Sequence, residues 1–143
     1  KGIYHVTNRE KYIGRSSPIF RSSWEYTFMY FCDHNGNILR WASEFVQIPY
    51  VHPSDGKIHT YYTDFYIEFR TRENEIKRWI VEVKPESQKH PPTQQRKTKT
   101  WKIQMVTYLI NKAKWAAAEA YCYNKGIEFK IFTEDEIKCL KNS

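Results

Sequence analysis

The chain predicts an α/β fold: a mixed β-sheet flanked by helices, with elements in the order α-β-β-β-α-β and a closing helix. Three observations carry this. Two stretches rich in β-branched and aromatic residues, Tyr61–Ile67 and Trp79–Pro85, read as short strands joined through the polar run Arg70–Glu75. A segment from Gln94 to Lys125 is helical in character and stops at Gly126, a residue suited to ending a helix. Ile127–Phe132 then reads as a further strand, so a helical crossover separates the third strand from the fourth.

The remaining elements follow in chain order. Lys1–Phe20 carries Gly14, Ser16, Ser17 and Pro18 and reads as an irregular leader with one strand-like or basic anchoring segment. Ser22-Ser23-Trp24-Glu25 has capping-box spacing and precedes Tyr26, Phe28, Met29, Tyr30 and Phe31, predicting a helix over Ser23–Asp33. His34-Asn35-Gly36-Asn37 closes it. Within that box Glu25 has two readings, a bond back to the cap of its own helix or an acid belonging to a site. Ile38–Pro49 reads as a strand anchored by Trp41, Phe45 and Ile48, and Tyr50–Gly56 as a turn with Asp-Gly at its tip. Pro85–Thr93 is too rich in proline and polar residues for regular structure and is expected to be a mobile loop beside the site. The long helical segment is one helix or two broken near Asn111. Helical periodicity gives it a core-facing stripe of Val106, Leu109, Ile110, Ala113 and Ala117. Lys97, Trp101, Gln104, Tyr108 and Lys112 fall opposite, a basic and aromatic mixture suited to a sugar-phosphate backbone. Thr133-Glu134-Asp135-Glu136 repeats the capping box for the closing helix.

A chain of 143 residues is expected to form a single domain over its whole length. Its 41% hydrophobic and 17% aromatic content exclude wholesale disorder. No apolar run reaches the ~18 residues of a membrane span, and no leader of the secretory type is visible. Cys32, Cys122 and Cys139 are odd in number and irregular in spacing, which reads as reduced cytosolic thiols. The five histidines sit apart and give a zinc site little support.

Charge is most telling by position. Between Glu86 and Glu119 there is no acid, while Lys89, Arg96, Lys97, Lys99, Lys102, Lys112 and Lys114 fall there and account for the whole net charge of +7. Such a one-signed block is a phosphate footprint or a solvated helix face. A membrane-surface helix fits less well, because the other face is largely alanine.

Side chains alternate across a strand, so Glu82 shares a face with Lys84, and Asp64 with Tyr66 and Glu68. An acid and a lysine in an otherwise apolar strand are costly unless paired or used. Hairpin pairing brings Asp64 close to Glu82, so two carboxylates and an ammonium converge, which is a hard-cation site with a lysine beside it. A structural Glu82–Lys84 salt bridge is the competing reading, and it leaves Asp64 and the acid-free block without a reason.

Asp64 followed by Glu82-Val83-Lys84, with the helical Glu25 upstream, resembles the PD-(D/E)XK nuclease superfamily; Thr63 stands where the nominal motif has proline. Gln104-Met105-Val106-Thr107-Tyr108 resembles the Gln-x-x-x-Tyr helix motif of its exonuclease-like branch. Arg21–Glu25, Ile48-Pro49-Tyr50, Asp64-Phe65-Tyr66, Ala113-Lys114-Trp115 and Phe132–Asp135 are similar to head-completion nucleases of large tailed phages. The resemblance implies a restriction-endonuclease-like core and a metal-dependent DNA endonuclease with Glu25, Asp64, Glu82 and Lys84 as catalytic residues. It implies Mg²⁺, with Mn²⁺ able to substitute, held by Asp64, Glu82, the Val83 carbonyl and Glu25. Gln104 and Tyr108 would position the scissile phosphate, with Lys97, Lys99, Trp101, Lys102 and Lys112 on the DNA. The implied partners are DNA and phage head or portal proteins, in the host cytoplasm and the virion. Two other functions remain open: a capping protein of the packaged head with a vestigial site, and a non-catalytic nucleic-acid binder.

Overall fold

The computed structural model describes residues 1–93 and 98–141, so the expectations for Arg96 and Lys97 lie outside the described residues. In chain order the elements are β1 (Gly2–Ile3), β2 (Ile19–Phe20), α1 (Ser23–His34), β3 (Ile38–Ser43), β4 (Gln47–Val51), β5 (Ile58–Tyr62), β6 (Phe65–Arg70) and β7 (Ile76–Val83). They continue with α2 (Lys99–Cys122), β8 (Ile127–Phe132) and α3 (Glu134–Lys141). The main sheet has the order β3-β6-β7-β8. Its first two pairings are antiparallel, and β7–β8, joined through α2, is parallel. This is the mixed sheet that the order of elements implies.

Two of the expected strands are each divided. Ile38–Pro49 breaks after Ser43, where Glu44 takes a left-handed backbone with φ of 52°. Tyr61–Ile67 breaks at Thr63 and Asp64. Between the breaks, β4 and β5 leave the main sheet as a separate antiparallel hairpin, paired from Gln47↔Tyr62 to Val51↔Ile58. The junction is closed by Glu44 N–H donating to the Asp64 carbonyl at 3.0 Å and by Thr63. Both the N–H (3.2 Å) and the hydroxyl (2.8 Å) of Thr63 donate to the Val46 carbonyl. No glycine or proline marks either break, which is why the sequence pattern runs straight through them. Tyr50 and Val51, expected in the turn, belong to β4.

The sheet buries both faces. Phe65, Ile67, Val81 and Val83 pack with Phe28, Met29 and Cys32 of α1, Trp41 of β3 and Ile137 of α3. Tyr66 and Ile80 face the other way, onto Ala118 and Cys122 of α2 and Ile48, Tyr50 and Tyr61 of the hairpin. The period-2 alternation of β6 and β7 therefore sorts their side chains as expected.

α2 is one unbroken helix of 24 residues, capped by Thr98, whose hydroxyl accepts from Trp101 N–H at 3.1 Å. Its buried face differs from the expected stripe. Val106 is 49% and Leu109 47% exposed, and the buried positions are Asn111, Ala118 and Cys122. Ile110, Ala113 and Ala117 do pack, partly buried, against the second core. Burial is concentrated in the C-terminal half, where α2 lies on β4 and β8.

The N-terminal segment is tied down more firmly than an irregular leader. β1 pairs with β2, and the buried carboxylate of Asp33 accepts from Tyr4 hydroxyl (2.7 Å), Thr7 N–H (2.8 Å) and Asn8 N–H (2.9 Å). Pro85–Thr93 also holds a 3₁₀ turn, Glu86–Lys89, fixed by Glu86 N–H donating to Glu134 Oε1 at 2.8 Å. Cys32 and Cys122 are buried thiols and Cys139 is exposed. Among the described residues no helix is long and apolar enough to cross a membrane.

Candidate active site

The register Phe65↔Val81, continued by one residue, sets Asp64 opposite Glu82. Asp64 stands at the bend before β6, where Val83 N–H donates to its Oδ2 at 2.9 Å. Lys84 N–H donates to the Phe132 carbonyl at 3.0 Å, which assigns the even positions of this stretch to the β8 side. Val83 therefore turns both its N–H and its carbonyl toward Asp64. The locking of β7 between its two neighbours holds all of these groups at one end of the sheet.

Glu82 is only 4% exposed. The Tyr61 hydroxyl donates to its Oε1 at 2.6 Å, and Lys84 Nζ lies 3.8 Å from Oε2. Burial and the Glu82 charge, with a smaller contribution from Glu25, push the Asp64 carboxyl well above the usual carboxylate range. The Val83 N–H and Lys84 oppose that shift without cancelling it. Two sunken carboxylates thus share one lysine, an excess of negative charge that a divalent cation would relieve. The donors are all oxygens, the set that suits a hard cation.

Glu25 is occupied at the start of its own helix. Its N–H donates to the Ser22 hydroxyl at 3.1 Å, and its Oε1 accepts from Arg21 N–H at 2.7 Å, so it caps α1. Its charge nevertheless acts on Asp64. The acid–lysine group is therefore assembled, with Glu25 at its edge.

The basic and aromatic face of α2 is a separate feature. Gln104 and Tyr108 line a cavity of about 550 Å³ together with Gln88, His90, Thr107 and Asn111, while Asp64, Glu82 and Lys84 do not border it. Lys112 Nζ sits 5.7 Å from the centre of the Tyr108 ring. Lys99, Lys102 and Lys112 are exposed and Trp101 is half-buried.

The sequence assigns no role at this site to three of its neighbours. Tyr61 reads there only as a strand former, yet it is the hydrogen-bond donor to Glu82. Lys114 lies over the Tyr61 ring at 5.6 Å, bringing a cation of the acid-free block toward that pair. Arg21 pairs with Glu44 at 2.9 Å, and its guanidinium is held above its ordinary value chiefly by Glu44, with Glu25 and Asp64 adding to the effect. The histidines also depart from expectation: His52 and His59 come together with Asp55 at the tip of the β4–β5 hairpin.

A mixed β3-β6-β7-β8 sheet with an acid before β6 and Glu-x-Lys at the end of β7 defines a restriction-endonuclease-like nuclease of the PD-(D/E)XK superfamily. The chain belongs to the TnsA-like endonuclease N-terminal family, whose profile matches residues 35–134. It is also similar to the head completion nuclease of Enterobacteria phage T4, with 31% identity over 145 residues, covering 97% of this chain and 94% of that protein. No solved structure matches it. The family match begins after α1 and so leaves Glu25 outside it. Family membership implies a divalent metal.

Proposed function

We propose that the protein is a Mg²⁺-dependent DNA endonuclease that hydrolyses phosphodiester bonds during completion of a phage head. The observation that carries this reading is the buried Asp64–Glu82 pair with Lys84 beside it, a charge arrangement that costs stability unless a cation and a phosphate use it. Asp64, Glu82 and the Val83 carbonyl would hold Mg²⁺ or Mn²⁺, with Glu25 as an outer ligand. When bound, the metal would supply Lewis-acid stabilisation of charge developing on the phosphate and favour ionisation of water.

The chain's own groups do the rest. Tyr61 hydroxyl and Val83 N–H each occupy one carboxylate oxygen, fixing the direction in which the other points. Lys84 Nζ, close to Glu82 Oε2, orients the attacking water and faces the phosphate. Gln104 and Tyr108 position the substrate, while Lys99, Trp101, Lys102 and Lys112, with Lys97, meet the DNA backbone. The 31% identity to a protein named a head completion nuclease supports the phage role, the host cytoplasm and virion as its location, and head or portal proteins as partners.

The test is cleavage of supercoiled plasmid. Nicking is expected with Mg²⁺, is lost in EDTA, and falls about 10²- to 10³-fold in Glu82→Gln, Asp64→Asn and Lys84→Ala. Undiminished cleavage by Glu82→Gln, or cleavage in chelator, sinks the assignment. Metal-independent binding to head proteins with no cleavage would favour a purely structural capping role.

A further inference from the structure

We propose that the tip of the β4–β5 hairpin binds one first-row transition-metal cation of the zinc class through His52, Asp55 and His59. One donor atom from each of the three lies within 4.8 Å of the others, and among the described residues no other trio of His, Cys, Asp or Glu comes as close. The site draws nothing from the acid–lysine group and does not depend on the nuclease reading.

The hairpin ladder builds it. His59 pairs with Tyr50, and His52 follows Tyr50 by two residues, so the two imidazoles fall on one face. Their ring centres are 4.4 Å apart. His52 N–H donates to the Lys57 carbonyl and Gly56 N–H to the His52 carbonyl, both at 2.8 Å, folding the turn so that Asp55 comes back over the rings. Gly56 takes φ of +68°, which glycine supplies without strain.

Two of the three ligands, Asp55 and His52, have a further contact that holds the side chain in place. Asp55 Oδ1 accepts from Lys57 N–H at 2.8 Å, leaving Oδ2 to face the imidazoles. His52 Nδ1 accepts from Ser54 N–H at 3.2 Å and lies 2.7 Å from the Ser54 hydroxyl. A metal at Nε2 would move the ring proton to Nδ1, where the Ser54 hydroxyl can accept it and the Ser54 N–H contact is given up. An ordinary ion pair accounts for His59, whose Nε2 is 2.8 Å from Asp55 Oδ2. It leaves out His52, which is held by Ser54 and whose charge also acts on Asp55.

Two imidazoles and one carboxylate favour zinc-class ions over Mg²⁺ or Ca²⁺. Ligands about 2.0 Å from a tetrahedral ion stand roughly 3.3 Å apart. The His59–Asp55 contact must therefore open by about half an ångström. Side chains on an exposed turn can make that adjustment, and solvent would fill the fourth position. Such a clasp would tie the two ends of the turn together and so steady β5, the strand that carries Tyr61 to Glu82.

The experiment uses the full chain, stripped of metal and held in excess Mg²⁺, titrated with Zn²⁺ by calorimetry and by NMR of the histidine rings. One equivalent should bind, shifting the rings of His52 and His59 and sparing those of His5, His34 and His90. His52→Ala, His59→Ala and Asp55→Asn should each weaken binding at least about tenfold. Zn²⁺ should raise the melting temperature of the wild type and leave that of the variants unchanged. The turn is exposed, so circular dichroism of the metal-free variants should match the wild type. Absence of saturable binding overturns the proposal, as does unchanged affinity in His52→Ala. So does a loss confined to His59→Ala and Asp55→Asn, because that is the behaviour of the surface ion pair alone.

Discussion

The charged form of the Asp64 carboxyl is disfavoured by its surroundings in the folded chain. Burial and the neighbouring Glu82 raise its folded-state pKa above the unfolded value, so the folded chain holds that proton more tightly. The resulting stabilisation is complete below the unfolded pKa and is lost as pH rises through the folded one. Asp64→Asn removes the repulsion and keeps an oxygen to accept from Val83 N–H. In EDTA at neutral pH this variant should be more stable by about 0.5–2 kcal/mol, the usual range for relieving a functional site. The gain should vanish in melts taken at about pH 3, below the unfolded pKa, where the wild-type carboxyl is also protonated when unfolded. Equal melting temperatures at neutral pH would show that Asp64 carries no such burden. Excess Mg²⁺ should shrink the difference by stabilising the wild type alone.

At the scale of elements, the junction of the hairpin with the main sheet sets where Asp64 points. Thr63 is buried and satisfies the Val46 carbonyl twice, through its N–H and its hydroxyl. The proline of the nominal motif could make neither bond. Thr63→Val keeps the N–H and should cost about 1 kcal/mol in urea unfolding. Thr63→Pro loses both donors and should cost at least about twice that, with a matching loss of cleavage as Asp64 shifts. A Thr63→Pro protein as stable as Thr63→Val would mean that the junction is held by Glu44 instead. The long helix teaches a related lesson. Its expected apolar stripe failed at Val106 and Leu109 because periodicity identifies which residues share a face and says nothing about how far the partner extends beneath them.

Over the whole molecule, the net charge of +7 is concentrated in one acid-free interval that includes α2 up to Ala118. If DNA lies against this helix, binding should weaken steeply with salt. Lys99→Ala, Lys102→Ala and Lys112→Ala should each lower the slope of log K against log salt by about 1 when the lysine meets a phosphate. Slopes unchanged in all three variants would move the DNA to another face.

The acid-free block was legible in the chain itself, as were the faces of β6 and β7, the caps at Ser22 and Thr133, and the pairing of Asp64 with Glu82. These are local: strand alternation and hydrogen bonds spanning three residues are written in consecutive positions, and an antiparallel register follows once two strands are recognised. The break at Glu44, the hydroxyl of Tyr61 on Glu82, the buried side of α2 and the meeting of His52 with His59 were not legible. Nor was it legible that Gln104 and Tyr108 line a cavity not bordered by the acid–lysine group. Each depends on a partner brought near only when the sheet, hairpin and helix pack. Through-space contacts of that kind leave no periodic trace along the chain.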